Sequence, residues 1–545
     1  MRAIRKNVTA FLAALALVAP ALATAKGPAW RRADTSNFVI YSQGSEAQLR
    51  QFANDLERFD ALLREFLSVP ATEQKPYRLT IYALSNSNSV AKLFSRKRSD
   101  VAGFYVASLE GSYAVSNRQK ASNKLELDGS VVLFHEYAHH FMHRNFNGSY
   151  PLWFNEGFAE YYSTTAFDKD GRFKVGMPAY HRAYGLIRGN DVSIEKLLFT
   201  SSLSALKRSE RDPFYGRAWL LIHFLMNNEE GQKKLLGYLH DHAGGMDPRE
   251  AAERNFGDLK ALDKALDQYL TGKMSYRVSN DPMALQPAVE MRPLDPIESA
   301  LVPLRLKIAS QSDCVAVRDE LVELAKQNPG RAEIWFELAR AQINAAHHEA
   351  TDPEDAGDPD AEPDNAETNR QRTRTGDLGE VSDSYLAAAD EAVGKALAID
   401  KTHGRANVLK ADIMMERLLR ADTSSEQDWD EARGYIIAAN RADTEDPVPL
   451  VAWYRSFARM GETPSKSAED GLVKAFTLAK EATEVRLMLA FDLARRGEFD
   501  TAISLVKILA NDPHAGEYGR AALAQLEAMQ ARQSSGIAPA KAAAD

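Results

Sequence analysis

Cysteine is almost absent from this 545-residue chain: Cys314 stands alone. That excludes an intramolecular disulfide and any cysteine-rich metal centre. Positive charge is also short. With 67 Lys and Arg against 76 Asp and Glu, the formal net charge is −9, a balance that argues against nucleic acid as a target. The small basic cluster of Lys92, Arg96, Lys97 and Arg98 reads as a solvated loop. Long apolar runs are missing too, except one near the start. Val8 to Leu22 follows the basic Met1–Lys6 stretch and precedes Ala23, Thr24 and Ala25, a small-x-small cleavage pattern. Such a run is too short to span a bilayer, so residues 1–25 read as a secretory signal peptide. No membrane span is expected after its removal. An exported protein without disulfides fits a bacterial periplasm better than a eukaryotic secretory lumen.

Chemistry concentrates in two neighbouring segments. The first holds His135-Glu136-Tyr137-Ala138-His139. Asp128 or Ser130 can cap a helix here, and Val131, Phe134, Ala138, Phe141 and Met142 supply its apolar stripe. On that helix His135 and His139 lie one turn apart on one face, where two imidazoles can share a metal ion. Glu136 sits about 100° further round, beside the metal and not bound to it, where a general base belongs. Zinc needs a third protein ligand and keeps a fourth position open. The second segment, Trp153 to Tyr161, supplies Glu156 for that role. Its helix is expected to be capped at Ser149, with Pro151 in the first turn. The short Arg144–Ser149 connection would return Glu156 alongside the two histidines. Glu160, four residues on, is expected to accept the free N–H of a ligand histidine. His140 and His143 read as packing or surface histidines.

His-Glu-x-x-His followed by Asn155-Glu156-Gly157-Phe158-Ala159-Glu160-Tyr161 resembles the gluzincin metallopeptidases, in particular the aminopeptidase N type and the peptidase MA-like families. The resemblance implies a zinc site in which Glu156 is the third ligand, and hydrolytic chemistry run by Glu136. It covers roughly residues 30–270. Sixteen residues separate His139 from Glu156, two fewer than in the aminopeptidase N pattern. No Gly-x-Met-Glu-Asn motif is present, so exopeptidase specificity is not implied. Relatives often carry a tyrosine that donates to the tetrahedral intermediate, and Tyr215 is the candidate here. His223 could do the same, but its Leu221, Ile222 and Phe224 neighbours mark it for a buried slot.

The remaining pattern predicts an α+β zincin-like domain followed by an all-α repeat domain. Strands are expected at Asn37–Tyr41 and Tyr77–Ala83, a helix at Ala47–Leu67, and a hairpin of Gly103–Val106 with Ser112–Val115. In gluzincins a strand of this sheet pairs with extended peptide substrate, a role given to the hairpin here. Val175–Lys273 reads as helical. The peptidase domain is placed at 26–280, a proline-interrupted linker at 281–298, and tetratricopeptide-like repeats at 299–533. The clearest repeat runs from Leu489 through Ala490, Ala502 and Pro513. An acidic insert at 347–380 cannot repay its ordering entropy and is expected to be disordered, as is a tail at 534–545. The functional expectation is a zinc-dependent peptidase acting on proteins or peptides, with repeats that recruit substrate or a protein partner. The alternatives are a periplasmic repeat scaffold carrying a catalytically silent zinc domain, and a zinc hydrolase acting on a non-peptide amide.

Overall fold

A computed structural model describes residues 29–70, 77–94, 102–189, 192–350, 378–379, 381–421, 424–512 and 516–534. The proposed signal peptide, most of the acidic insert, Arg96, Lys97, Arg98, Pro513 and residues 535–545 lie outside these. The architecture is mixed α+β and mainly helical. Among the described residues, no helix is long and apolar enough to cross a membrane.

Six strands form the principal sheet: β1 (Arg31–Asp34), β2 (Phe38–Ser42), β3 (Leu79–Leu84), β4 (Phe104–Val106), β5 (Tyr113–Asn117) and β9 (Glu290–Pro293), in the order β4-β5-β3-β2-β1-β9. β2, β3 and β5 run parallel, and the outer pairs are antiparallel. The parallel step from β2 to β3 needs a crossover, supplied by α1 (Glu46–Phe66), which starts in a Ser45/Gln48 capping box. β4 and β5 form the expected hairpin, its turn reached through Gly111 at φ +124°. A smaller sheet pairs β6 (Ala166–Phe167), β7 (Phe173–Val175) and β8 (Arg277–Val278).

Alternation along the strands divides the sheet into two faces. Phe38, Ile40, Leu79, Ile81, Tyr105 and Ala114 join α1, α3 (Gly129–Asn145), α4 (Leu152–Ser163) and α7 (Arg208–Met226) in the main core. Three shorter helices, α2 (Ser87–Phe94), α5 (Ala183–Arg188) and α6 (Ile194–Phe199), lie in the connections. Tyr82, Phe104, Val106, Tyr113 and Val115 pack on the other side of the sheet against Leu294, Val302 and Leu306. The last two belong to helix Pro296–Ala309. This corrects the expected linker at 281–298. Its prolines do not prevent pairing, because Pro293 sits at the end of an edge strand where a missing N–H is tolerated. Residues beyond the expected boundary thus complete the sheet and cover its second face.

Beyond Ala309 the described residues are mainly helical, each helix packing on its sequence neighbours. Helix Ala332–Ala350 runs past the expected start of the acidic insert. Ala490 and Ala502 are fully buried between Thr483–Arg495 and Phe499–Ala510, as small residues at a close helix crossing require.

Two glycines predict opposite responses. A Cβ on Gly157 in α4 would lie 2.7 Å from the Ala218 carbonyl oxygen of α7, whereas one on Gly394, inside helix Asp383–Ile399, meets nothing within 4 Å. Gly157→Ala is therefore expected to cost about 1–3 kcal/mol. Gly394→Ala should stabilise by about 0.5–1 kcal/mol. Thermal unfolding of the two variants, compared for the sign of the Tm shift, checks both.

Candidate metal centre

The site is built on two buried helices. α3 begins at Asp128, whose carboxylate accepts from the Ser130 amide at 2.9 Å. Its first residue has to be glycine, because a Cβ on Gly129 would meet the Asn117 carbonyl oxygen at 2.0 Å. The end of β5 is thereby pressed onto the start of α3. α4 is buried along its whole length. The expected Ser149 cap is not formed: Pro151 holds the N-cap position without a side-chain hydrogen bond, and the Ser149 hydroxyl donates instead to the Lys507 carbonyl at 2.9 Å. Tertiary docking of that serine outcompetes local capping.

The two helices bring His135, His139 and Glu156 together as a group that can hold a metal ion. The Nε2 atoms of the histidines are 3.2 Å apart, and Glu156 Oε2 lies 3.4 Å from that of His135 and 3.5 Å from that of His139. A tetrahedral zinc with ligands at 2.0–2.1 Å separates them by about 3.3–3.4 Å, so the triangle is the right size. Glu156 Oε2 is buried and accepts no hydrogen bond. Its nearest polar neighbours are those two imidazole nitrogens, and a cation between the three would satisfy it better than they do. The donor set, two imidazoles and one carboxylate, suits zinc.

Glu160 completes the expected arrangement, its Oε1 3.2 Å from His135 Nδ1. Donation of the Nδ1 proton to Glu160 leaves Nε2 as the lone-pair donor facing the triangle. Two residues missed in the sequence hold Glu160 in turn. His181 Nε2 is 3.2 Å from Glu160 Oε2. Arg182 grips both carboxylate oxygens, at 2.5 and 3.2 Å, and reaches Asp212 at 2.7 Å. Both lie on a 3₁₀ turn, Tyr180–Arg182, that runs into α5. No motif marks this turn. The usable signal was electrostatic: a buried Glu160 demands a cation, and none lies on its own helix.

Arg182 also lies over the Tyr215 ring, Cζ 4.9 Å from its centroid, and that ring is 6.3 Å from the His135 ring. Tyr215 therefore stands beside the triangle. Burial, reinforced by the nearby Glu156 carboxylate, raises the Tyr215 pKa well above that of a free tyrosine, keeping the hydroxyl protonated as a donor. His223 is committed elsewhere, with Nδ1 2.8 Å from the Tyr269 hydroxyl and Nε2 2.9 Å from the Gly176 carbonyl. His140 pairs with the Tyr105 hydroxyl at 3.0 Å, and His143 with Asp512 at 2.8 Å. Glu136 is half-buried on the turn between the two candidate ligand histidines.

Without a metal, the cluster holds protons. Burial disfavours a charged His135, but Glu156 and Glu160 outweigh it and raise its pKa to about 10. Burial likewise pushes Glu156 up, yet His135 and His139 bring it down to about 2. A scan against protein-family models finds no match to this protein, and a search of the curated proteins finds none either.

Near neutral pH, then, His135 carries a proton that a metal must displace. Apparent zinc affinity of the metal-free protein is expected to rise about tenfold per pH unit between roughly pH 6 and 8. Competition against a chelator across that range measures the slope, and a flat profile contradicts the assignment. Arg182→Met, which releases Glu160, is expected to weaken zinc binding about 10–100-fold. Arg182→Lys, keeping the charge, should lose less in the same assay.

Proposed function

We propose that this protein is an exported, zinc-dependent peptidase of the gluzincin type, related to the peptidase MA-like and aminopeptidase N-like catalytic domains and followed by tetratricopeptide-like repeats. The observation that carries the reading is the convergence of Glu156 Oε2 with two histidine nitrogens, 3.4 and 3.5 Å away, with Glu136 next to His135 on α3 and outside that group. A purely structural site has no use for that second glutamate.

His135, His139 and Glu156 would hold the ion. When bound, zinc supplies Lewis acidity toward water and a scissile carbonyl. Glu136 takes the proton of the attacking water and returns it to the leaving amine. The Tyr215 hydroxyl donates toward the developing oxyanion, where one well-aimed donor is worth about 2.7–4 kcal/mol. Glu160 keeps the His135 ring from turning, and Arg182 keeps both Glu160 and Tyr215 in place. The substrate class is protein or peptide, and the repeats recruit substrate or a protein partner.

The deciding comparison is wild type against Glu136→Gln, each assayed for bound zinc and for cleavage of a denatured protein mixture. Equal zinc with cleavage reduced about 10²–10⁴-fold in the variant is the expected outcome. A wild type that binds zinc and cuts nothing overturns the reading.

A further inference from the structure

On the face of the principal sheet turned away from α3 and α4 lies a cavity of about 260 Å³. Tyr82 of β3 and Glu110 of the β4–β5 turn form one wall. Helix Pro296–Ala309 faces them with Arg305, and helix Ala332–Ala350 with Glu337, Arg340 and Asn344. Three of these polar groups are idle. Arg305 donates from Nε to Glu337 at 2.8 Å, and its two terminal nitrogens make no hydrogen bond among the described residues. Side-chain exposure of 31% leaves that guanidinium reachable from solvent. Asn344 donates from Nδ2 to the Ile308 carbonyl at 2.9 Å, which leaves its Oδ1 without a partner among the described residues. The Tyr82 hydroxyl, near enough to Arg305 to feel its charge, also makes no hydrogen bond among them. Burial raises its pKa, so the oxygen keeps its proton and can donate.

The acidic groups of the cavity are all engaged. Buried Glu337 is held by Arg305 and by Arg340 at 3.1 Å, and Arg340 reaches Glu110 at 2.7 Å. Asp412, from helix Gly404–Arg420, pairs with Arg459 at 3.0 Å. The cavity therefore offers unused donors to an anion and an acceptor to one N–H, but no unpaired acid to an ammonium. A planar guanidinium with both terminal nitrogens unused matches a carboxylate. Ile308, Ile343 and Leu409 line the remainder and suit an apolar side chain. The volume falls just below that of drug-sized ligand sites, roughly 300–1,000 Å³, so it takes one residue and not a length of chain. We infer that this cavity binds the carboxyl-terminal residue of a peptide, with its free carboxylate on Arg305 and Tyr82, its amide N–H on Asn344 and an apolar side chain. The inference goes beyond the peptidase reading and stands without it, because the sheet separates the cavity from the candidate metal centre.

The test uses the full-length Glu136→Gln protein loaded with zinc, so that the probes are not cut. Two fluorescein-labelled peptides end in leucine, one as the free acid and one as its amide. Anisotropy titration should show the acid bound about tenfold more tightly than the amide. Tyr82→Phe removes a hydroxyl that holds nothing in the fold, so Tm should stay while affinity for the acid falls about fivefold. Arg305→Lys keeps a charge beside Glu337 but loses the fork, and should weaken the acid about tenfold. N-acetyl-leucine should displace the probe about tenfold better than leucine, whose ammonium finds no unpaired acid. Equal binding of acid and amide, or binding of neither, overturns the inference. Leucine competing as well as N-acetyl-leucine overturns the assignment to a peptide end. Binding that chelation of zinc abolishes, and that Tyr82→Phe and Arg305→Lys leave unchanged, puts the peptide at the metal centre and also overturns it. Acid-selective binding that both variants weaken, in a protein whose wild type cuts nothing, supports the inference and sinks the peptidase reading.

Discussion

Two carboxylates on a helix that water hardly reaches set the terms for the rest of the structure. Glu156 and Glu160 lie one turn apart on α4, each with only 1% of its side chain exposed. An unpaired ion in such a place costs several kcal/mol. Neutralisation could come from protonation, yet both carboxyls are held below the ordinary glutamate range despite burial. For Glu156 the two imidazoles do this, and for Glu160 it is mainly Arg182 with His135 and His181. Every strong contact around α4 then follows. α3 supplies the imidazoles, the Tyr180–Arg182 turn supplies the guanidinium, and α7 supplies Asp212 to hold that guanidinium from its far side. The pairing is unequal, however. Glu160 meets its partners at 2.5 and 3.2 Å, whereas Glu156 Oε2 lies 3.4 and 3.5 Å from the two imidazole nitrogens. A cation held between Glu156 and the two imidazoles would even out that asymmetry.

The parts that sequence made legible were those where function and periodicity coincide. His135, His139, Glu156 and Glu160 recur at helical spacing, so helix geometry alone placed them on facing sides. Alternation across Tyr77–Ala83 likewise marked a strand, but not that both faces of its sheet are covered. What stayed hidden depended on contacts between distant segments. Arg182 and His181 sit in a turn too short for periodicity, and their purpose appears only when Glu160 is seen to be buried. β9 hid behind Pro293, since a proline-rich stretch looks like a linker unless its edge position is known. The Ser149 cap failed for a similar reason, its hydroxyl being taken by the Lys507 carbonyl. Tyr215 needed both the family resemblance and the stacked guanidinium to stand out from other tyrosines.

The corner between α3 and α4 shows why the helical C-terminal part belongs to the site. Any helix ends with carbonyls that have no intrahelical partner. Helix Phe499–Ala510 ends against this corner, and two carbonyls at or just beyond its last turn are filled by it. Lys507 accepts from Ser149, and Asn511 accepts from Asn155 at 3.0 Å. Asn511 returns a hydrogen bond to the Ser149 hydroxyl at 3.2 Å. Asp512 pairs with His143, one turn beyond His139. Arg144 reaches Glu481, whose side chain is fully buried, at 3.2 Å.

These contacts bear on the last turn of α3, the connection, and the residue immediately before Glu156. A connection this short has little freedom of its own, and its outer face is held by backbone that cannot move without fraying a helix. The offset between α3 and α4, and with it the size of the histidine–glutamate triangle, is therefore set partly by the C-terminal helices. A one-residue screw slip of α4, about 1.5 Å along its axis, would turn Glu156 about 100° away from the two nitrogens. The C-terminal helices would then influence the site through position alone, without adding a side chain to the His135–His139–Glu156 group.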